Sequence, residues 1–231
     1  TTHRYESISD TPDYPRREDV YYTHGKIPPA CPDHSRLEQL VDHFCPASPY
    51  DRILIKALFC QPLWYIRGIP RPGWIIDAKD AQGCGKTTLA ELVARLYNST
   101  PIVTSKQEME HRRDVLTKRC LSTAGRKSRI MILDNVTGEF KSDDLSDWMT
   151  QQDVTGMAPY GHGEECRPNN FVFIITSNTA TVHPDIADRC FYLFLAKPEM
   201  SDGSRGYWKW NSIRFIDKFR LEIIADIIHM I

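Results

Sequence analysis

The stretch GWIIDAKDAQGCGKTTLAELVARLY, Gly73 to Tyr97, decides the fold of this 231-residue chain. Its apolar opening, Trp74-Ile75-Ile76, reads as a buried strand. Leu89, Leu92, Val93 and Leu96 then recur at the i, i+3, i+4, i+7 spacing of a helix with one buried face. Between them lies the turn Gly83-Cys84-Gly85-Lys86-Thr87-Thr88. Strand, glycine turn, Lys-Thr and helix N-terminus together make a phosphate cradle. Glycines let backbone N–H groups close on an anion, Lys86 brings positive charge, and the Thr87 hydroxyl can hold Mg²⁺. Gly83, Cys84, Gly85, Lys86, Thr87 and Thr88 are therefore the candidate binding residues for a nucleoside triphosphate. The pattern G-x-x-x-x-G-K-[ST] begins with glycine where this chain has Asp80, but the cradle itself is built from Gly83 onward. A glycine-rich turn in an unrelated fold would not explain a Lys-Thr pair at the helix start.

Composition narrows the rest. With 41% hydrophobic and 26% charged residues the chain can bury a real core, as one large domain or one core with small appendages. No apolar run approaches membrane-spanning length and no signal-peptide pattern opens the chain, so no membrane partner is expected. A net charge of −1 provides no global basic field, and any nucleic-acid contact must be local. Seven scattered cysteines do not make a disulfide framework, and a reducing, intracellular setting is expected. The first residue is Thr1 rather than methionine, and Phe215 to Ile231 reads as a helix without a cap signal. A piece of a longer polypeptide, with further domains, is expected.

Residues 1–30 are polar and rich in Tyr, Pro and Arg, an extended lead-in. Residues 31–69 read as a small helical segment, one helix carrying Leu37, Leu40, Val41 and Phe44 and a second carrying Ile53, Leu54, Ala57 and Leu58. Cys31, His34, His43 and Cys45 have the residue types of a zinc site, but the interval between the two pairs is apolar-periodic helix, and helix-flanking residues are the better reading. Ser105, with Glu108 three residues on, opens a helix whose Arg112, Arg113, Lys118 and Arg119 read as a solvated face.

Ile130-Met131-Ile132-Leu133 is an apolar run of the kind found in a parallel strand covered on both faces, and it ends in Asp134. A carboxylate there sits where open α/β sheets bind ligands, and with Thr87 it is the candidate Mg²⁺ holder. Position 135 is Asn, and an amide takes no proton from water. Phe171 to Thr176 is another buried-type strand, followed by Asn178, which can bind a γ-phosphate or orient the attacking water. Asp185-Ile186-Ala187-Asp188-Arg189 precedes a last strand, Cys190 to Leu195. By itself Arg189 reads as a surface arginine at a helix end.

The ordered set GCGKTT, ILDN, ITSN and DIADRC resembles the AAA+ ATPases, in which these are the Walker A, Walker B, sensor 1 and arginine-finger segments. The resemblance implies an α/β P-loop NTPase fold of AAA+ type over residues 70–198. A five-stranded parallel sheet would carry helices on both faces, with the start of an incomplete C-terminal helical lid at 199–231. It implies ATP and Mg²⁺, catalytic roles for Lys86, Asp134, Asn178 and Arg189, and a homo-oligomer, most often a hexameric ring, in which Arg189 reaches a neighbour's nucleotide. The segments are also similar to the ATPase part of phage and mobile-element primase–helicase proteins of superfamily 3 type, which implies DNA replication in a bacterial or phage-host cytoplasm. In those proteins a β-hairpin before the sensor 1 strand grips DNA. Here that interval is 153–170, where Tyr160, His162 and Arg167 are the candidates for contacting single-stranded DNA by stacking and local charge. A plain surface loop explains it equally well, and Glu164 and Glu165 oppose an anionic partner. With Asn135 in the usual place of the base, Glu110 and then Glu139 are candidates for it, and Arg220 for sensor 2. A protein-remodelling ATPase and a non-catalytic nucleotide switch are alternatives; a small-molecule kinase would leave the Asn178 and Arg189 segments without purpose.

Overall fold

The computed structural model of the chain describes residues 5, 7–64, 71–78, 83–157, 159, 163–197 and 210–231. In chain order it begins with two short paired strands, β1 (Ser7–Ser9) and β2 (Val20–Tyr22), then α1 (Ser35–His43) and α2 (Pro49–Cys60). β3 (Gly73–Ala78) leads through the glycine turn to α3 (Lys86–Leu96) and on to β4 (Ile102–Thr104). Helices α4 (Lys106–His111) and α5 (Arg113–Leu121) precede β5 (Ile130–Val136), β6 (Glu139–Phe140) and α6 (Asp143–Thr150). A hairpin, β7 (Asp153–Met157) and β8 (Glu164–Pro168), leads to β9 (Val172–Ser177), β10 (Thr181–Val182), α7 (Pro184–Ala187), β11 (Cys190–Leu195) and α8 (Ser212–Met230).

Five strands pair in the order β11-β3-β9-β5-β4, all parallel. The apolar runs form this sheet because its central strands are covered on both faces. Alternate residues go to opposite faces: Trp74, Ile76, Ile130, Ile132, Val172 and Ile174 join one core with α1, α2, α3 and α8. Ile75, Met131, Leu133, Phe173 and Ile175 join a second core with α4, α5 and α6. The sheet's C-terminal edge, where ligands bind in such folds, is therefore flanked by helices on two sides.

Three features depart from the local sequence reading. The lead-in docks: Thr11 and Asp13 are buried, with Thr11 Oγ1 donating to the Tyr97 carbonyl at 2.5 Å. Asp13 pairs with Arg129 at 2.7 Å, which compensates the buried carboxylate. The helix opened by Ser105, whose Oγ accepts from Glu108 N at 3.2 Å, breaks at Arg112 (φ −136°, ψ 44°) into α4 and α5. Glu110-His-Arg-Arg-Asp at the break contains no apolar residue to hold one continuous helix on the sheet. Finally, α8 fills the first core with Ile216, Ile223, Ile224 and Ile227, and its wholly buried Asp226 accepts from Cys31 N, Arg36 N and Leu37 N at 2.7, 3.1 and 3.1 Å. That carboxylate caps the start of α1, satisfying donors that a helix leaves orphaned.

Candidate active site

The site is built where β3, β5 and β9 end. Gly83 and Gly85 have φ of +85° and +81°, a left-handed turn open to glycine at no cost. A Cβ on Gly83 would meet nothing within 4 Å, so its requirement is conformational rather than steric. Gly85 caps α3, Leu89 N donates to its carbonyl at 2.8 Å, and Lys86 is the first helical residue. Cys84 is buried beneath the turn. The remaining N–H groups at this helix start, with the helix dipole behind them, suit an anion.

Two hydrogen-bond chains join the predicted residues. In the first, Thr87 Oγ1 donates to Asp134 Oδ1 at 2.8 Å, and Thr176 Oγ1 donates to the same oxygen at 2.7 Å. Thr176 Oγ1 in turn accepts from Asn135 N at 2.7 Å. In the second, Lys86 Nζ donates to Asn178 Oδ1 at 2.6 Å, and Asn178 Nδ2 donates to Asn135 Oδ1. Since an ammonium only donates, Asn178 must face it with oxygen, which turns its NH₂ toward Asn135. Asn135 sits at φ +58°, within a register shift of β5 against β9 between Leu133 and Val136. Asn tolerates that conformation, and the bulge re-aims the strand end so that Asp134 meets Thr87. Asn178 N donates to Val136 O at 2.8 Å, locking the two strand ends together. A hydroxyl and a carboxylate within hydrogen-bond distance of each other, beside a lysine and a glycine turn, fit a hydrated Mg²⁺ and triphosphate oxygens.

The sequence reading missed Asp77. Its Oδ1 lies 3.8 Å from Lys86 Nζ, and its Oδ2 accepts from Ser177 Oγ at 2.7 Å. The signal was present: GWIID ends an apolar run in a carboxylate, as MILD does at Asp134.

Other candidates lie elsewhere. Arg189 is exposed at the start of β11, where its carbonyl accepts from Gly73 N at 2.9 Å and its Nε donates to Asp185 O at 2.9 Å. That is the opposite end of β3 from the glycine turn. Glu110 borders a cleft with His111 and residues 141–144. The carboxylate at the end of β4 is instead Glu108, which accepts from Thr104 Oγ1 at 3.0 Å and lies 3.5 Å from Arg119. Glu139 is exposed on β6.

The interval 153–170 does form a hairpin, paired from Asp153↔Pro168 to Met157↔Glu164. Arg167 is not available to DNA: it is 4% exposed. It donates to the carbonyls of Cys120, Gly125 and Ser128 and to Asn170 Oδ1, with its guanidinium over the Phe171 ring. These three carbonyls converge near the end of α5, and a long, forked cation reaches all of them. Tyr160 and His162 lie outside the described residues. Arg220 does not face the phosphate turn; its Nε donates to Leu96 O at 2.8 Å, closing the far end of α3. Cys31, His34 and His43 turn to Glu222, His229 and Trp210 respectively, and no three metal-ligand residues group among the described residues.

Beside Thr88 a cleft of about 460 Å³ opens between His43, Phe44 and residues 210–213. His43 stacks on Trp210 with ring centroids 4.1 Å apart, and burial pushes its pKa down to about 4, so the ring is neutral.

Comparison with known proteins agrees with this geometry. The family described as "ATPase family associated with various cellular activities (AAA)" matches residues 81–196. Two solved structures of the apo A form of the NrS-1 C-terminal region, the second spanning 305–718, share the fold with TM-scores of 0.55 and 0.54. Both are 18% identical and cover 87% of this chain, which spans 46% and 45% of their lengths. No curated protein matches the sequence.

Proposed function

The chain belongs to the AAA family of ATPases, and from that premise we propose that it is the ATP-hydrolysing core of a DNA helicase or translocase working as a homo-oligomeric ring. The observation that carries the ATPase part is the meeting of Lys86 with Asn178 and of Thr87 with Asp134 at one sheet edge. The N–H groups from Gly83 to Thr88 bind the triphosphate, and Lys86 neutralises its β- and γ-oxygens. Thr87 and Asp134 hold Mg²⁺, which when bound spreads charge from the phosphates. Asn178 and Asn135 orient the attacking water as hydrogen-bond partners. Neither amide accepts its proton, which ends on the phosphate product, so the protein acts chiefly by positioning.

Arg189 supports the ring. Standing at the far end of its own β3, it serves a nucleotide only if that nucleotide belongs to a neighbouring subunit. The hairpin β7–β8, leading into β9, at whose end Asn178 follows, supports coupling of hydrolysis to movement along single-stranded DNA. Asn135 favours one second reading, a switch that binds nucleotide without turnover. Phosphate release by the purified protein, with and without single-stranded DNA, decides between them. The motor reading expects turnover that rises with DNA and disappears in Lys86→Ala; hydrolysis unchanged in that variant sinks it.

A further inference from the structure

Asp77 places an anion beside the one ammonium that a triphosphate needs. Its carboxylate is 3.8 Å from Lys86 Nζ, with the two side chains only 18% and 10% exposed. At that distance the pair attracts but makes no hydrogen bond, while neutral Asn178 takes the direct contact at 2.6 Å. Two donors hold the carboxylate off the lysine: Ala78 N reaches Oδ1 at 2.7 Å, and Ser177 Oγ reaches Oδ2 at 2.7 Å. Ser177 is itself fixed, its Oγ accepting from Ala180 N at 3.1 Å. The carboxylate therefore sits on a tether anchored in the segment that carries Asn178. In a partly buried site the attraction of Lys86 to Asp77 is poorly screened, and it opposes transfer of the ammonium to phosphate oxygens.

We propose that Asp77 is a positioning residue that competes with the triphosphate for Lys86 and so sets nucleotide affinity, and that Ser177 sets how strongly it competes. The inference rests on the nucleotide-site reading of the glycine turn. It makes two substitutions act in opposite directions. Asp77→Asn keeps an oxygen for Ala78 N and turns its NH₂ to the Ser177 hydroxyl oxygen, but removes the charge, so affinity for ATP or a slowly hydrolysed analogue rises about tenfold. Ser177→Ala releases the carboxylate toward Lys86, so affinity falls several-fold.

The test is equilibrium binding of the analogue to the full chain, with thermal melting as the check on folding. Tighter binding by Asp77→Asn, weaker binding by Ser177→Ala, and no gain from Asp77→Asn on a Lys86→Ala background uphold the proposal. A folded Asp77→Asn with unchanged or weakened affinity overturns it. So does a shift of both variants in the same direction, which is the mark of a merely structural role. Should Asp77→Asn fail to fold, Ser177→Ala alone decides: a fall in affinity upholds the proposal, and no fall overturns it. Failure of the parent chain to bind nucleotide is a different result and removes the nucleotide-site reading itself.

Discussion

Gly73 N donates to the Arg189 carbonyl at 2.9 Å, which fixes Arg189 at the beginning of β3 while the glycine turn lies beyond its end. The six residues of β3 put roughly 17 Å between them at the usual strand rise. An arginine side chain does not cross that distance around a covered sheet. Substitution Arg189→Ala should therefore leave nucleotide binding intact and lower turnover by about 10³-fold, the range for an arginine supplied in trans. Mixing Arg189→Ala with Lys86→Ala chains should restore part of the phosphate release, because some interfaces then pair an intact phosphate turn with an intact arginine. No recovery on mixing would remove the shared-site reading.

Thr87 and Asp134 make a different prediction. Both Thr87 and Thr176 donate to Asp134 Oδ1, so the carboxylate is held ready rather than free to rotate. In Asp134→Asn the amide keeps the shape but loses the charge that favours a divalent cation. Nucleotide affinity measured with and without Mg²⁺ should then become nearly metal-independent, while the parent chain binds more tightly with the metal. An Asp134→Asn chain that retains the parent's metal response would deny the pair this role.

The parallel sheet was legible in the sequence because a strand covered on both faces must be apolar at consecutive positions, and four such runs stood out; the fifth strand, β4, is three residues long with Val103 exposed. Lys86, Thr87, Asp134 and Asn178 were legible because each lies at the end of one of those runs or on the turn that follows. Asp77 obeys the same rule, but the glycine turn just beyond it is the stronger signal and masks it. Thr176 was hidden for another reason: within FVFIIT a threonine reads as a β-branched strand former, and its two hydrogen bonds reach across to β5. Arg167 shows where local reading fails outright. A cation near Gly163 resembles a loop contact, and only the tertiary fold reveals the carbonyls that enclose it. Arg220 fails likewise, its partners Leu96 and Asp10 being remote in sequence.

Arg167 accordingly belongs to stability. Removing its side chain takes a charged donor from the carbonyls of Cys120, Gly125 and Ser128, of which Gly125 keeps Ser128 N, and strips the cation from the face of Phe171. Arg167→Ala should cost about 3 kcal/mol in denaturant unfolding, the scale of breaking a buried polar network. Were a single-stranded DNA site found on the hairpin, this variant would leave the salt dependence of binding by its folded fraction unchanged, since a buried guanidinium releases no counterion. A fully stable Arg167→Ala with a shallower salt slope would return Arg167 to the surface role.

His43 carries the pH prediction. Burial against Phe44 and Trp210 lowers its pKa to about 4 from an unfolded value near 6.5. Above the unfolded value both states are neutral there, and the group contributes no slope. Between about 6.5 and 4 the unfolded chain binds the proton and the folded chain does not, so stability falls as pH falls, by at most about 1.4 kcal/mol per pH unit from this group. His43→Phe keeps the stack on Trp210 and removes the proton site. Melting temperature followed from pH 7 to about 4.5 should decline less steeply in that variant than in the parent chain. Parallel curves would mean that the imidazole reaches solvent on protonation, and that the Trp210 stack opens rather than the fold.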